Sequence, residues 1–172
     1  MNQALAMEMP NEDPDLLISE EDNIEDMYLT FAVGGEHYGV GIGVVTEIVG
    51  MQRIMGIPDV PEFIKGVINL RGKVIPLMDV RLRFGMEEKS YDERTVIIVL
   101  EISDAPLGLI VDGVREVLEI AKDKIDRTSA IGSERTSIVR GLGRIDERVA
   151  ILLDEQMLAS NADFSLPEEL GH

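Results

Sequence analysis

Short apolar runs, separated by glycine, proline or charged residues, dominate the middle of the chain. The first, from Tyr28 to Val33, is rich in β-branched and aromatic residues and partly alternates with polar positions, which is typical of a half-buried strand. Gly34-Gly35 then supplies the positive φ angles of a two-residue hairpin turn, so a second strand is predicted from Glu36 to Val40. No run keeps a helical period over ten residues or more. The pattern predicts an all-β barrel or sandwich with a few short helices.

The segment from Ile42 to Val49 fits two structures. Its β-branched residues favour a strand. However, Val45, Ile48 and Val49 are spaced as on one face of a short helix, and Thr46 falls on another face. Eight residues are too few for periodicity to decide between the two.

The chain contains an internal repeat. One set of positions recurs 69 residues later and a second set recurs 75 residues later, in the same order, as a single loop insertion would produce. The first set pairs Tyr38-Gly39-Val40, Ile42, Val45, Glu47 and Ile48 with Leu107-Gly108-Leu109, Val111, Val114, Glu116 and Val117. The second set pairs Lys65-Gly66, Val74, Leu77 and Asp79 with Arg140-Gly141, Val149, Leu152 and Asp154. Chance likeness between two all-β halves is the alternative interpretation.

Duplication predicts two related β modules, residues 27–92 and 93–160. A module of about 65 residues buries too little surface to be stable alone, so an extensive apolar interface between the two is expected. The repeat leaves open which module contains the first strand, since strands can cross from one module to the other.

The net negative charge of the chain is concentrated towards its two ends. Of 33 acidic residues, nine lie within residues 1–26, which contain no Lys or Arg. Such a segment gains too little from burial to offset its ordering entropy, so residues 1–26 are predicted to be a disordered acidic arm. Residues 161–172 are interpreted as a C-terminal tail, and the body between residues 27 and 157 keeps a net charge of −5.

Composition narrows the possible functions. The net charge of −17 disfavours binding to the phosphate backbone of nucleic acids. A cysteine count of zero excludes disulfides and thiolate zinc sites. No apolar run is long enough to cross a membrane, and the acidic N-terminus lacks the basic flank of a signal peptide. A cytoplasmic protein is therefore expected.

Residues with catalytic or metal-binding chemistry are sparse. His37 and His172 have no spacing that suits metal ligation or acid–base catalysis. Gly39, Gly41 and Gly43 alternate, but no long helix follows them, as a phosphate-binding loop requires. A twisted, closely packed strand explains these glycines better.

Three carboxylates, Asp79, Asp112 and Asp154, each follow an aliphatic run. Asp79 and Asp154 are equivalent in the repeat, so they are interpreted as caps of short helices at residues 79–84 and 154–159. The sequence therefore predicts no catalytic residue, no metal site and no cofactor.

Arg71 is the most informative charged residue. Within Asn69-Leu70-Arg71-Gly72, the glycine suits a tight turn between two strands, which places Arg71 at a hairpin tip. Its equivalent in the second half of the repeat is Asp146. An arginine present in one copy only suggests contact with a partner, although pairing with a neighbouring carboxylate explains it equally well.

The chain resembles the bacterial chemotaxis coupling protein family, CheW, from Tyr28 to Ala159. Each matching motif is weak alone, but their order and spacing are specific. They are Phe31-x-Val-Gly-x-Glu-x-Tyr38-Gly39-Val40, Val45-x-Glu47-Ile48, Phe63-Ile64-Lys65-Gly66-Val67-x-Asn69-Leu70-Arg71-Gly72, Ile75-Pro76-x-x-Asp79-Val80-Arg81, Val111-Asp112-Gly113-Val114 and Gly141-Leu142-Gly143.

This resemblance implies two tandem five-stranded SH3-like β-barrels packed on each other, and a short helix from Ile42 to Ile48. It also implies a non-catalytic adaptor that couples methyl-accepting chemoreceptors to the histidine kinase CheA through its regulatory domain. The protein would be cytoplasmic at membrane-associated receptor arrays, without entering the membrane. A CheW-like adaptor of a related pathway, such as twitching motility or surface sensing, and a small β-barrel ligand-binding protein are the alternatives.

The resemblance also assigns contacts to individual positions. The implied receptor-binding residues are Arg71, Val96, Gly108, Val117 and Gly141. The implied kinase-binding residues are Val45, Glu47 and Gly66. Without the resemblance, the three valines would be interpreted as core residues. Gly108 and Gly141 would let either a partner or a neighbouring strand approach closely. A receptor tip made of a helical hairpin suits an aliphatic groove beside an arginine, because an amphipathic helix docks by its apolar face.

Overall fold

Strands make up most of the part of the chain that the computed structural model describes, residues 24–127 and 138–161. In that part there are eleven strands: β1 (Met27–Val33), β2 (Glu36–Gly41), β3 (Val45–Gly50), β4 (Ile64–Leu70), β5 (Lys73–Asp79), β6 (Val96–Ile102), β7 (Ala105–Val111), β8 (Gly113–Glu119), β9 (Ile125–Asp126), β10 (Val139–Ile145) and β11 (Arg148–Leu153). Two α-helices, α1 (Val80–Arg83) and α2 (Glu155–Asn161), and three 3₁₀ helices, Ile24–Asp26, Ile42–Val44 and Lys122–Lys124, complete it. The prediction of an all-β fold with a few short helices is confirmed.

The strands form two sheets. Sheet A has the order β8-β1-β2-β11-β10-β9, and sheet B has the order β3-β6-β7-β5-β4. Neighbouring strands are antiparallel except β2–β11 and β5–β7, which are parallel. Sheet B closes on itself because Met55, shortly after β3, bridges to Val67 of β4. Sheet A closes similarly, since β9 follows β8 in the chain and pairs with β10. Both sheets are therefore barrel-like, which fits the predicted SH3-like architecture, with β9 as a short sixth strand in sheet A.

The sheets correct the module boundary predicted between residues 92 and 93. Sheet A combines β1 and β2 with β8 to β11, and sheet B combines β3 to β5 with β6 and β7. Each half of the chain thus contributes its first hairpin to the other half's sheet. Two short segments allow this exchange: the Ile42–Val44 turn leads from β2 into sheet B, and Asp112 leads from β7 into sheet A.

The internal repeat is confirmed by the strand register. Gly39 lies opposite Leu152 in the parallel pair β2–β11, and Gly108 lies opposite Leu77 in the parallel pair β5–β7. The ladders also carry equivalent irregularities. These fall between Val45/Glu47 and Val114/Glu116, and between Ile64/Gly66 and Val139/Gly141.

Alternation along the strands divides the buried side chains between three apolar clusters. In β6, Ile98, Leu100 and Ile102 face a cluster shared by the two sheets, whereas Ile97 and Val99 face the interior of sheet B. A third cluster, with Tyr28, Ile120, Ile125, Ala150 and Leu152, fills the interior of sheet A. We call the shared cluster the seam. An extensive apolar interface is therefore present, but it lies between the two sheets and not between residues 27–92 and 93–160 as predicted.

Three local predictions can be compared directly with the structure. Gly34 and Gly35 have φ angles of 61° and 87° and form the turn between β1 and β2, as predicted. Asp79 accepts a hydrogen bond from the backbone N–H of Leu82, at the N-terminus of α1. Asp154 accepts one equivalently from the N–H of Met157, in the first turn of α2. Both capping interpretations are confirmed.

The short helix implied from Ile42 to Ile48 is wrong beyond residue 44. The 3₁₀ helix ends at Val44, and Val45–Gly50 is strand β3, paired with β6. Exposure alternates strictly along β3, as the strand propensity of its β-branched residues favours. Pairing with a neighbouring strand decides the conformation that periodicity left open.

The boundary of the predicted disordered arm also changes. Ile24–Asp26 forms a 3₁₀ helix, and the carbonyl of Asp26 accepts a hydrogen bond from the N–H of Ile120 at 2.8 Å. Residues 24–26 therefore belong to the folded part because Asp26 is tied to the end of β8. The rest of the predicted arm and residues 162–172 of the predicted tail lie outside the described residues.

Candidate partner-binding surface

Arg71 lies at the tip of the hairpin between β4 and β5, as its sequence context predicts. Its φ angle is 56° and that of Gly72 is 89°, so both turn residues are in the left-handed region that a tight two-residue turn requires. The side chain of Asn69 supports the turn by accepting a hydrogen bond from the N–H of Gly72 at 2.8 Å. This turn projects the Arg71 side chain, 68% of which is exposed, into solvent.

The guanidinium of Arg71 forms an ion pair with the carboxylate of Glu47, which is on β3. Exposed pairs of this kind typically stabilise folding by about 1 kcal/mol or less. The pair therefore holds the long Arg71 side chain in place with little energetic consequence for the fold. It also joins a predicted receptor contact to a predicted kinase contact, so the two predicted sets meet at this point.

The pair lies at a surface cleft of about 280 Å³ that is lined by residues of β3 to β7 and of the β4–β5 turn, and we call it the Arg71 cleft. A second ion pair, Lys73–Glu101 at 3.7 Å, lies on its rim. The lining residues are Thr46, Glu47, Leu70, Arg71, Lys73, Ile75, Val99, Leu100, Glu101 and Pro106. The buried apolar residues of the cleft and the paired charges at its edge match the apolar core and polar rim of protein interfaces.

The equivalent position on sheet A differs in charge. Asp146 replaces Arg71 at the hairpin tip and has nearly the same φ angle, 55°. Glu116, the equivalent of Glu47, instead pairs with Arg148 at 3.4 Å. The two hairpin tips therefore share a backbone conformation, but the charged residues that pair there are at different positions. The charge of the two tips differs accordingly.

The three valines of the predicted sites have different environments. Val45 and Val96 are partly buried and pack against the seam. Val117, on β8, is 45% exposed, and its repeat equivalent Ile48 is 44% exposed. The default interpretation as core residues therefore fits Val45 and Val96, whereas Val117 is open to a partner.

The three glycines of the predicted sites are buried and packed against their own neighbours. A Cβ atom on Gly66 would lie 2.2 Å from the carbonyl oxygen of Met55. On Gly108 it would lie 2.5 Å from Cδ2 of Leu77, and on Gly141 2.8 Å from the carbonyl oxygen of Asp126. Partner contact at these positions stays a prediction, because the packing shows that substitutions act first on neighbouring strands of the same chain.

The predicted sets are distributed unequally over the sheets. All three kinase positions, Val45, Glu47 and Gly66, are in sheet B. The receptor positions are divided: Arg71, Val96 and Gly108 belong to sheet B or its turn, and Val117 and Gly141 belong to sheet A. The relative positions of the predicted receptor residues therefore depend on how the two sheets are held relative to each other.

Sequence reasoning missed one polar site between the sheets. Arg81 donates two hydrogen bonds to the carboxylate of Asp112, at 3.1 and 2.9 Å, and the N–H of Gly34 donates a third at 2.8 Å. Burial disfavours ionisation of this carboxylate, but the bonds from Arg81 and Gly34 outweigh that effect and lower the pKa of Asp112. The sequence offered two signals, the position of Asp112 after an aliphatic run and the presence of Arg81 and Asp112 in motifs of the family resemblance, but neither indicates that the two side chains pair.

Two buried carboxylates, Asp79 and Glu155, also support the fold. Tyr91 donates to Asp79 at 2.7 Å, and burial together with this bond raises the pKa of the Tyr91 hydroxyl. Glu155 accepts from the N–H of Gly41 at 2.6 Å and from Arg140 at 2.9 Å. These bonds tie together separate parts of the same chain, so both carboxylates have a structural role.

Within residues 24–127 and 138–161, no cluster of three or more His, Cys, Asp or Glu side chains has the arrangement of a metal site. None of the helices described there is long and apolar enough to span a membrane.

The fold and this surface together define a class of protein. Two barrel-like sheets share an apolar seam. Arg71, Glu47 and Val117 offer exposed charged and apolar side chains on a hairpin tip and two strands, and the other candidate residues pack beneath the surface. This arrangement is typical of a module that binds other proteins through its surface.

Comparison with known proteins gives the family. The CheW-like domain matches residues 27–163. The chain is 38% identical to the chemotaxis protein CheW of Klebsiella aerogenes over 84% of this chain and 87% of that protein. It is 32% identical to the CheW of Helicobacter pylori over 81% of this chain and 86% of that protein. The scaffolding protein TtCheW of Thermoanaerobacter tengcongensis superposes with a TM-score of 0.70 at 36% identity, covering 75% of this chain and 88% of that one.

The chain belongs to the CheW family, as the resemblance in its motifs implied. It is a scaffold, or adaptor, of chemotaxis signalling.

Proposed function

We propose that this scaffold couples methyl-accepting chemoreceptors to the histidine kinase CheA and does so without catalysis. It would act in the cytoplasm, at receptor arrays. The exposed Arg71–Glu47 pair carries the proposal, because it presents both charges at low cost to the fold beside a cleft of protein-binding character. Arginine is also enriched among the residues that dominate the energy of protein interfaces.

The receptor surface would use Arg71 and the exposed apolar side chain of Val117. A receptor tip consists of helices, and an amphipathic helix combines an apolar stripe with flanking charges. Val117 supplies apolar area and Arg71 supplies a cation able to form two hydrogen bonds with one carboxylate. Val96, Gly108 and Gly141 would support this surface through packing, since the glycines are buried.

The kinase surface would lie on sheet B around Glu47. Val45 and Gly66 would shape this surface from within, because Val45 packs against the seam and Gly66 against the Met55 segment. The Glu47 carboxylate, with 32% of its side chain exposed, is the charged group there that a partner can reach. The regulatory domain of CheA would be the partner on this side.

Arg71→Ala is expected to weaken binding to a receptor cytoplasmic fragment by at least tenfold. Truncation of an arginine in an interface removes its hydrogen bonds and leaves the partner's acceptor unpaired. The melting temperature should change by less than about 2 °C, because an exposed ion pair contributes little to stability. Isothermal titration calorimetry and thermal denaturation monitored by circular dichroism measure the two effects.

Lys73→Ala is the matched control, since Lys73 is an exposed cation on the rim of the same cleft and has its own carboxylate partner. Receptor affinity within about twofold of the parent is expected for this variant. Equal loss of receptor affinity for Arg71→Ala and Lys73→Ala would mean that only the general charge of the cleft matters, against a specific role for Arg71.

Glu47→Gln tests the proposed kinase surface and should weaken binding to the CheA regulatory domain.

A further inference from the structure

The Asp112 carboxylate connects elements of both sheets. Asp112 lies between β7 of sheet B and β8 of sheet A. The two bonds that it accepts from Arg81 come from α1, which directly follows β5 of sheet B. The bond that it accepts from Gly34 comes from the β1–β2 turn of sheet A. We call this arrangement the Asp112 clasp.

Neighbouring contacts strengthen the clasp. The backbone N–H of Asp112 donates to the carbonyl of Ala32 in β1 at 2.9 Å. Met86, which follows α1, lies so close to the same turn that a Cβ on Gly34 would be 2.7 Å from its sulfur atom. With side-chain exposures of 19% for Arg81 and 25% for Asp112, the pair is also shielded from solvent. Such a pair is screened less by salt than an exposed one.

The repeat does not reproduce the clasp on the other side of the molecule. The equivalents of Asp112, Arg81 and Gly34 are Gly43, Gln156 and Ser103. Gly43 has no side chain, so no carboxylate is present to accept equivalent bonds. The carboxylate of Glu155 binds Gly41 and Arg140, which both belong to sheet A. The clasp is therefore a one-sided link between the sheets.

An apolar seam and an ion pair constrain two sheets in different ways. Apolar burial is non-directional and depends mainly on the area removed from water. The guanidinium, in contrast, binds the two oxygens of one carboxylate in a planar, fixed geometry. The seam therefore supplies a non-directional contact between the sheets, and the clasp adds a directional one.

We propose that Asp112 and Arg81 are positioning residues, which set the angle between the two sheets and thereby align the receptor surface. The part that concerns the receptor rests on the proposed function, since the receptor positions are divided between the sheets. The kinase positions lie in sheet B alone and should depend much less on this angle.

The angle can be measured without any partner. The chain has no native cysteine, so Val149→Cys in sheet A and Met55→Cys, next to sheet B, supply two labelling sites that are 48% and 53% exposed. Electron–electron double resonance between spin labels at these sites gives the distance distribution. Arg81→Gln is expected to broaden that distribution at least twofold. Arg81→Lys, which keeps the charge but not the paired geometry, should give an intermediate width.

Arg144→Gln is the matched control, because it makes the same change in an exposed arginine that pairs with Asp126 within sheet A. Its distribution should equal the parent's. If Arg81→Gln does not fold, Asp112→Asn replaces it, since the asparagine keeps the shape and an acceptor for Gly34. An unchanged distribution in the folded clasp variant overturns the proposal.

Binding then tests the consequence for the receptor. Arg81→Gln is expected to weaken binding to the receptor fragment about fivefold, and binding to the CheA regulatory domain by less than twofold. Broadened distances with full receptor affinity would overturn the alignment role. If the parent protein binds neither partner, the proposed function fails, while the distance measurement still decides whether the clasp sets the angle.

Discussion

Gly66→Ala is expected to lower the free energy of unfolding by about 4 kcal/mol. The new Cβ would lie 2.2 Å from the carbonyl oxygen of Met55 and 2.9 Å from Cγ2 of Ile54. A clash with backbone cannot be relieved by a rotamer change, and overpacking alone typically costs about 1–3 kcal/mol. The φ angle of 142° adds strain of about 1–3 kcal/mol for a residue with a side chain. Urea denaturation followed by circular dichroism measures the loss.

Alanine substitutions at two other glycines separate the cost of the steric clash from the cost of the backbone strain. Gly72→Ala has a φ angle of 89° and no atom near the new Cβ, so strain alone applies and about 1 kcal/mol is expected. Gly56→Ala has open space and no positive φ angle, and should change stability by less than about 0.5 kcal/mol. A stable Gly66→Ala protein that has lost kinase binding would show direct contact with the partner instead of an internal packing role.

Phe31→Ala is expected to cost about 3–5 kcal/mol, the usual range for truncation of a buried phenylalanine. Phe31 is 0% exposed, lies in the seam, and its ring is 6.1 Å from the stacked ring of Tyr38. Since the seam includes residues of both sheets, the loss should destabilise both of them together. Urea denaturation followed by circular dichroism and by tyrosine fluorescence should show one coincident transition at lower denaturant.

Ile48→Ala serves as the control for Phe31→Ala, because it removes an apolar side chain that is 44% exposed and should cost less than about 1 kcal/mol. Two separated transitions in the Phe31→Ala protein would contradict the interpretation of the seam. They would mean that each sheet is stable without the other, although a unit of this small size is expected to bury too little surface to be stable alone.

The candidate surface was partly predictable. The Asn69-to-Gly72 motif located Arg71 at an exposed hairpin tip, because turn chemistry is a property of neighbouring residues. The motif left open whether Arg71 contacts a partner or pairs with a neighbouring carboxylate. Its pairing with Glu47, 24 positions away in the chain, is visible only in the tertiary structure. For Gly108 and Gly141, approach by a partner and approach by a neighbouring strand both stayed open, since a glycine looks the same in a sequence in either case. The structure shows that strands of the same chain pack against them.

Local structure followed from the amino-acid sequence alone: strands from alternation, hairpins from glycine turns, helix starts from Asp79 and Asp154, and two related halves from the repeat. Each of these depends on residues close together in the chain or on comparison of the chain with itself. The exchange of hairpins between the halves became visible only in the folded chain, as did the link that Asp112 makes between Arg81 and Gly34, 78 positions away from it. An apolar strand can pair with many other apolar strands, and its partner is selected only when a whole sheet and its seam assemble. Turns and caps, in contrast, are selected by their immediate neighbours in the chain.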